Sequence, residues 1–355
     1  MLGLAAPLPA VSRERWQSSL PEAVTALCWS AGNDGALWSA GADGWIRRHG
    51  ADGSEQRAWQ AHDGGITRLC PQPGSDHLAS AGEDGRVLLW DAAGTLLDTL
   101  AEESCWAEHL AWTADGRILA AAAGRSIQLW RDGESLGVWY DARRSVLALA
   151  WAPEGRRLAT AANKGLHLWQ VGGQTPVQLL DFPGAPVTLG WRPDGKALAV
   201  GTQDGFLQVW RQAAAAGVRG KRAPGPLTMR GYPAKVSCLD WHPTRSCVAT
   251  AGGPDVVLWD IPAAGEGKPT PLRLHRTPVT ALAFAPDGAT LASAGRDGRV
   301  CLWSDGGELL QALALDAEVT AAVWSPDASM LALGCTDGRL RVQQIDACPD
   351  AAPVM

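Results

Sequence analysis

Residues 279–303 read VTALAFAPDGATLASAGRDGRVCLW, and residues 66–90 repeat the pattern as ITRLCPQPGSDHLASAGEDGRVLLW. Each stretch contains three short runs of apolar and small residues, separated by turn-forming residues such as Pro286-Asp287-Gly288 and Asp297-Gly298. Related copies begin near positions 24, 107, 146, 186, 236 and 319. The first run ends at positions 29, 71, 112, 151, 191, 241, 284 and 324, a period of about 42 residues. The chain therefore contains eight internal repeats.

The repeats predict an all-β fold. No segment shows a sustained 3.6-residue period, and the runs are of strand length. After the third run comes a loop and a weaker fourth run, for example at 95–100 or 309–313. Four strands in about 42 residues is the size of one blade of a β-propeller. We therefore expect a closed ring of four-stranded antiparallel blades.

The repeats also share polar positions, and here the sequence resembles the WD-repeat β-propeller family over residues 13–346. Two repeats carry the same four signature residues at the same spacing, namely His62, Ser80, Asp84 and Trp90, and His275, Ser293, Asp297 and Trp303. The resemblance implies that each set forms a buried structural network. It also implies binding faces at the ends of the ring. Other repeats depart from the pattern, since His49 and Gln343 replace the third-strand Trp.

The number of blades follows from counting strands. Eight groups of three strands need eight fourth strands, and seven of these lie between repeats. Nothing resembling a strand follows Ile345, so we expect residues 13–20 to complete the last blade and remove its open edge. The prediction is an eight-bladed ring over 13–346 with tails at 1–12 and 347–355, and a seven-bladed ring is the alternative.

The unusual content of 18 Trp fits this architecture. Six Trp residues end the first strand of a repeat, and six end the third strand, where a large ring can fill the wedge between blades. The first-strand set is Trp29, Trp112, Trp151, Trp191, Trp241 and Trp324. The third-strand set is Trp90, Trp130, Trp169, Trp210, Trp259 and Trp303.

Composition excludes several classes of protein. Apolar residues make up 46% and charged residues 19%, which excludes a disordered chain, and no apolar run is long enough to span a membrane. The net charge of −6 argues against a general nucleic-acid binder. Eight scattered cysteines without a zinc spacing, and an N-terminus without a basic signal region, predict reduced thiols and a cytoplasmic location. The excess of Arg and Ala is typical of a GC-rich bacterial genome.

We expect no catalytic, metal or cofactor site. The sets Ser80, His62, Asp84 and Ser293, His275, Asp297 have the composition of a hydrolase triad, but neither Ser lies in a GxSxG motif. The segments at 265–268 and 220–221 lack the upstream Gly and the Ser or Thr of a phosphate-binding loop. The sequence therefore favours a non-catalytic scaffold, expected to be monomeric, that binds one or more proteins. An enzyme with a pocket at the central channel is an alternative.

The candidate binding residues lie in loops. The resemblance implies that the usual binding face carries the Asp turns and the entries to the first strands, so we place the primary site there, at Glu83, Trp106, Arg143, Arg144, Gln203, Lys235 and Arg296. Trp106 is either an exposed hot spot or packed flat on the next blade.

A second candidate is the basic loop 211–235, called here the basic segment 211–235, which has no acidic residue and suits an acidic partner or a nucleic acid, with a disordered solvated loop as the alternative. Its named basic residues are Arg211, Arg219, Lys221, Arg222 and Arg230.

Overall fold

A computed structural model describes residues 12–32, 34–102, 105–140, 145–162, 165–181, 184–211, 225–263 and 265–346. Over these residues the chain forms 32 strands and no helix, arranged as eight four-stranded antiparallel sheets. The outcome matches the predicted all-β propeller with eight blades. No helix able to cross a membrane occurs in these ranges.

The strands follow one another from the ring axis outwards in each blade. The first strand of the chain is β1 (Ser12–Ser19). Blade 1 contains β2 (Val24–Trp29), β3 (Leu37–Gly41), β4 (Trp45–His49) and β5 (Glu55–Gln60). Blade 2 contains β6 (Ile66–Pro71), β7 (Leu78–Gly82), β8 (Arg86–Trp90) and β9 (Leu96–Glu102). Blade 3 contains β10 (Ala107–Trp112), β11 (Ile118–Ala123), β12 (Ser126–Arg131) and β13 (Glu134–Tyr140). Blade 4 contains β14 (Val146–Trp151), β15 (Arg157–Ala162), β16 (Gly165–Gln170) and β17 (Gln178–Asp181).

The second half of the ring repeats this order. Blade 5 contains β18 (Pro186–Trp191), β19 (Ala197–Thr202), β20 (Phe206–Arg211) and β21 (Leu227–Arg230). Blade 6 contains β22 (Val236–Trp241), β23 (Cys247–Gly252), β24 (Asp255–Asp260) and β25 (Lys268–Leu272). Blade 7 contains β26 (Val279–Phe284), β27 (Thr290–Gly295), β28 (Arg299–Ser304) and β29 (Leu309–Ala314). Blade 8 contains β30 (Val319–Trp324), β31 (Met330–Cys335) and β32 (Arg339–Ile345), and β1 is its fourth strand.

The N-terminal strand closes the ring. β1 pairs antiparallel with β32 from Ser12 opposite Ile345 to Ser19 opposite Arg339. The amide of Leu20 donates to the carbonyl of Gly338 at 2.8 Å. The first strands of neighbouring blades contact each other around the whole ring, including β30 with β2. The predicted closure is confirmed, and the seven-bladed alternative is wrong because all eight blades have four strands.

The first-strand Trp residues join neighbouring blades. In six blades the indole Nε1 donates to a backbone carbonyl in the first strand of the preceding blade, one residue before the end of that strand. The pairs are Trp29 with Val323, Trp112 with Cys70, Trp151 with Ala111, Trp191 with Ala150, Trp241 with Gly190 and Trp324 with Ala283, at 2.9 to 3.2 Å. These bonds give the inner ring a repeated polar link between blades.

Blade 7 replaces that link with a carboxylate. Its first strand ends in Phe284, which has no indole, and the backbone N–H of Phe284 instead donates to Asp240 Oδ2 of blade 6 at 2.7 Å. Burial raises the pKa of Asp240 to about 7, although hydrogen bonds from the amides of Phe284 and Trp241 favour the charged form. The junction between blades 6 and 7 therefore contains a titratable group.

This junction gives a pH prediction. The folded protein holds the Asp240 proton to a higher pH than the unfolded chain, so this group removes stability as pH rises from about 4 to about 7. We expect Asp240→Asn to raise the free energy of unfolding by about 1 to 2 kcal/mol at pH 8. The full pKa shift, at about 1.4 kcal/mol per pKa unit, would give a larger effect, but the half-buried Asp240 side chain still reaches water. Urea unfolding between pH 5 and 8 should show that the difference in the free energy of unfolding between Asp240→Asn and wild type, the gap, widens as pH rises. A gap that stays constant, or one matched by the control Asp287→Asn, would contradict the assignment.

Candidate interaction face

The two signature sets form the expected buried networks. In blade 2, Trp90 Nε1 donates to Ser80 Oγ at 2.9 Å, and His62 joins Ser80 to Asp84 through contacts of 2.8 Å on both ring nitrogens. In blade 7, Trp303 donates to Ser293 at 2.9 Å, and His275 lies 2.9 Å from Ser293 Oγ and 3.2 Å from Asp297 Oδ1.

The serines of both networks are buried and hydrogen-bonded. Ser80 and Ser293 are fully buried, and each Oγ is engaged by both a Trp and a His. Burial lowers the pKa of His62, which favours the neutral imidazole. Burial alone would raise the pKa of Asp84, yet hydrogen bonds from His62, Arg86 and Asp63 lower it to about 2. Hydrogen bonds therefore link the tight turn at Asp84 to the third-strand residue Trp90.

Blades 1 and 6 are among those that build a similar link from other residues. In blade 6, Trp259 Nε1 donates to the Tyr232 hydroxyl at 2.6 Å, and that hydroxyl lies 2.5 Å from Thr250 Oγ1. In blade 1, His49 stands in the Trp position and lies 2.9 Å from Ser39 Oγ. Tyr232 was not predicted from the sequence, where its signal is a polar aromatic residue just before a first strand.

The predicted binding residues that the structure describes lie at one end of the ring. The amides of Glu83, Gln203 and Arg296 in the tight turns donate to carbonyls in the loops that enter the first strands, at 2.8 to 3.0 Å. Trp106 and Lys235 lie in such entry loops, directly before β10 and β22. Arg143 and Arg144 fall outside the described residues. We call this end of the ring the Asp-turn face.

Trp106 and Glu83 meet in a concavity on the Asp-turn face. The concavity has a volume of about 430 Å³ and is lined by residues from blades 1 to 4. Trp106 is 52% exposed, so it does not lie flat on the next blade. Further lining residues come from the first strands, which surround the ring axis, and include Thr25, Arg68, Glu108, His109 and Leu147. The concavity is therefore the mouth of the central channel on the side of blades 1 to 4.

The mouth presents both signs of charge beside an aromatic ring. Arg68 and Glu108 are exposed, and Glu83 Oε2 accepts a hydrogen bond from the Gly65 amide at 3.2 Å. Burial and the nearby Arg68 lower the pKa of His109 to about 4, so this imidazole is neutral at pH 7. The site can therefore bind a polar peptide by hydrogen bonds and ion pairs while the indole supplies apolar area.

Sequence reasoning missed Arg68, Glu108 and His109 because they lie inside strands. Their signal is positional, since Arg68 and His109 occupy the third position of the first strand, where other repeats carry Ala26 or Ala281. The remaining predicted residues are separate from the mouth. Arg296 pairs with Glu318 at 3.1 Å, and Gln203 and Lys235 do not line the concavity.

The basic segment 211–235 is not a single loop. Arg211 ends β20 and donates to the carbonyls of Pro262 and Gly265 at 2.9 and 3.1 Å, whereas Arg230 ends β21 and lies 5.3 Å from the Phe206 ring. Because β21 pairs antiparallel with β20, these two Arg residues lie at opposite ends of the blade. The prediction that 211–235 is one loop is wrong because blade 5 takes its outermost strand, β21, from this segment. Arg219, Lys221 and Arg222 fall outside the described residues.

The described residues contain no cluster of three or more His, Cys, Asp or Glu side chains that suits a metal ion. The seven cysteines among them are free thiols, and six of them have a pKa raised by burial, namely Cys28, Cys70, Cys238, Cys247, Cys301 and Cys335. Buried thiols of this kind are poor nucleophiles.

Comparison with known proteins places the chain. It is 25% identical over 300 residues to telomerase protein component 1 of Mus musculus. The aligned region covers 78% of this chain and 11% of that protein. It is 32% identical over 121 residues to human coronin-7, which covers 33% of this chain and 13% of that protein. The chain thus spans only a small part of these relatives. The C-terminal WD40 domain of Sif2 has the same fold, with a TM-score of 0.80 over 95% of this chain and 99% of that domain at 15% identity.

The family model described as WD domain, G-beta repeat matches residues 53–91, 133–170, 226–260, 269–304 and 308–342, which together make up just over half of the chain. The matched segments contain the first three strands of blades 2, 4, 6, 7 and 8, in whole or in large part. The chain belongs to the WD-repeat family of β-propellers.

Proposed function

We propose that this chain is a monomeric, non-catalytic scaffold of the cytoplasm that binds a partner protein at the mouth of its central channel. The observation that carries the proposal is Trp106, a half-exposed indole beside a concavity of about 430 Å³. Exposed Trp residues dominate binding energy where a partner can enclose them. WD-repeat propellers are in general non-catalytic scaffolds that bind proteins, which supports the same reading.

The alternatives have less support. Arg211 and Arg230 lie at opposite ends of blade 5. They therefore do not form one joint site on the basic segment 211–235 for an acidic partner or a nucleic acid. An enzyme at the central channel would need an acid and a base at the mouth, and His109 with a pKa of about 4 is a weak base at pH 7.

The test compares an exposed residue at the mouth with an exposed residue on an outer strand. We expect Trp106→Ala to weaken binding of the captured partner by about thirtyfold, which corresponds to a hot spot of about 2 kcal/mol. Arg57→Ala is the control, because Arg57 is exposed on the outer strand β5 of blade 1 and does not line the mouth. The measurement is affinity capture with quantitative mass spectrometry, followed by calorimetry with the purified partner. Binding that survives Trp106→Ala, or that is weakened equally by Arg57→Ala, would reject the channel mouth as the site.

A further inference from the structure

Exposed apolar side chains are concentrated on one part of the outer rim. Apart from Trp106, every large apolar residue that is strongly exposed in the described ranges lies on or beside β9, β13 or β17, the outermost strands of blades 2 to 4. These residues are Leu96, Leu97, Leu136, Tyr140, Val177 and Leu179, between 37% and 69% exposed. We call this surface the blade 2–4 rim. The outermost strands of the other five blades expose no such residue.

The blade 2–4 rim also differs in charge. Its three strands contain acidic residues such as Asp98, Glu102 and Glu134, and they contain no Lys or Arg. By contrast, four of the other five outermost strands contain a basic residue, at Arg13, Arg57, Arg230 and Lys268. An apolar surface with acidic groups and no cations is complementary to a basic, apolar partner.

A cleft between blades 2 and 3 adds a specific pocket to this rim. It has a volume of about 430 Å³ and joins apolar walls from Leu89, Leu97 and Trp112 to the carboxylates of Asp98 and Asp132. A Cβ built on Gly133 would lie 3.6 Å from Asp98 Oδ2, so the Asp98 carboxylate reaches the hairpin that carries Asp132. Within the described part of the chain neither carboxylate forms an ion pair.

The cleft lies away from the proposed channel-mouth site. Besides the outer strands, it is lined by Gln72, Ser75 and His77 around the hairpin that joins β6 to β7, at the end of the blade opposite the tight turn at Glu83. β9, β13 and β17 are each the last strand of their sheet, so each has a free edge that can pair with an extended chain.

We propose that the blade 2–4 rim binds an extended segment of a partner protein in which basic and apolar side chains alternate, with one Lys or Arg side chain seated between Asp98 and Asp132. Alternation suits a strand laid along a sheet edge, since successive side chains point to opposite sides. The apolar side chains of the segment cover residues such as Leu97. A second copy of this chain is a poorer occupant, because the rim would place like charges against each other.

The test uses a fluorescent ten-residue peptide that alternates Lys and Val, and a matched peptide with Glu in place of Lys. Fluorescence anisotropy should show that wild type binds the Lys peptide and not the Glu peptide. We expect Asp98→Asn combined with Asp132→Asn to weaken binding of the Lys peptide about tenfold, since an ion pair at the protein surface contributes up to a factor of about five. Asn is isosteric with Asp and tolerates the φ of 52° at position 132, so the fold should be kept.

The control pair is Glu55→Gln with Glu308→Gln, which removes the same charge from exposed carboxylates in blades 1 and 7. Equal weakening by both pairs would mean general attraction by the acidic protein and would overturn the proposal. Failure of wild type to bind the Lys peptide, or equal binding of the Glu peptide, would overturn it as well. Sedimentation of Leu97→Ser supplies a further check, because a dimer in wild type that this variant abolishes would assign the rim to a second copy of the chain.

Discussion

Replacing Trp303 with alanine should lower the free energy of unfolding by about 3 to 5 kcal/mol. The side chain is 4% exposed and belongs to the core cluster between blades 6 and 7, with Cys247, Leu258 and Leu291. Removing the indole leaves a cavity that the paired strands cannot collapse around, and it also removes the hydrogen bond to Ser293. Denaturant unfolding, followed by far-UV circular dichroism, measures the change.

The matched comparison is Trp106→Ala, which removes the same atoms from an exposed position. Surface substitutions of this kind change stability by about 0.5 kcal/mol or less. Equal losses for Trp303→Ala and Trp106→Ala would contradict the view that the third-strand Trp fills the wedge between blades. Trp303→Phe should lie between the two, because it keeps most of the volume and loses the hydrogen bond.

The closing strand gives the second prediction, a loss of about 3 to 5 kcal/mol for Trp16→Ala. Trp16 is 8% exposed, stacks on His49 at 5.7 Å and covers Gly53, so it attaches the last blade to the first. Amides in β32 that pair with β1, such as those near Val342, should then exchange with deuterium faster than amides in β31. Hydrogen exchange with mass spectrometry makes that comparison.

Two neighbouring substitutions sharpen this test. Arg15→Ala changes an exposed residue of the same strand and should leave stability within about 0.5 kcal/mol of wild type. Trp16→Phe should be mild, because the indole Nε1 of Trp16 has no hydrogen-bond partner among the described residues. Uniformly faster exchange in all eight blades after Trp16→Ala would show that the ring opens as one unit and not at the closing strand.

The features that recur in every repeat could be predicted from the sequence. Eight first strands at a regular period predicted eight blades, with seven as the alternative, and the missing fourth strand pointed to the N-terminal segment, where β1 is found. The His62 and His275 networks were expected from the resemblance to the WD-repeat family, whose signature residues stand at fixed spacing within one repeat.

Features that depend on neighbouring blades could not be predicted in this way. Arg68 and His109 are 41 positions apart in the sequence, yet both line the channel mouth. Asp240 and Phe284 are 44 positions apart and are joined by a hydrogen bond. Each of these residues is unremarkable in its own repeat, and only the ring brings them together. The division of segment 211–235 was missed for a related reason, since the pairing of β21 with β20 overrides its basic composition.

The pairing of β1 with β32 also sets an order of events. Ser12 pairs with Ile345, so β32, the partner of β1, is synthesised after the other strands of the ring, roughly tens of seconds after β1 at about 5 to 20 residues per second. Each of blades 1 to 7 can form from strands that are adjacent in the chain, and only blade 8 needs a contact that spans more than 300 positions. Until β32 has been synthesised, β1 is therefore a strand without its sheet. Blade 8 is the slowest blade to assemble, and until it forms another strand can compete with β1 for the edge of β32.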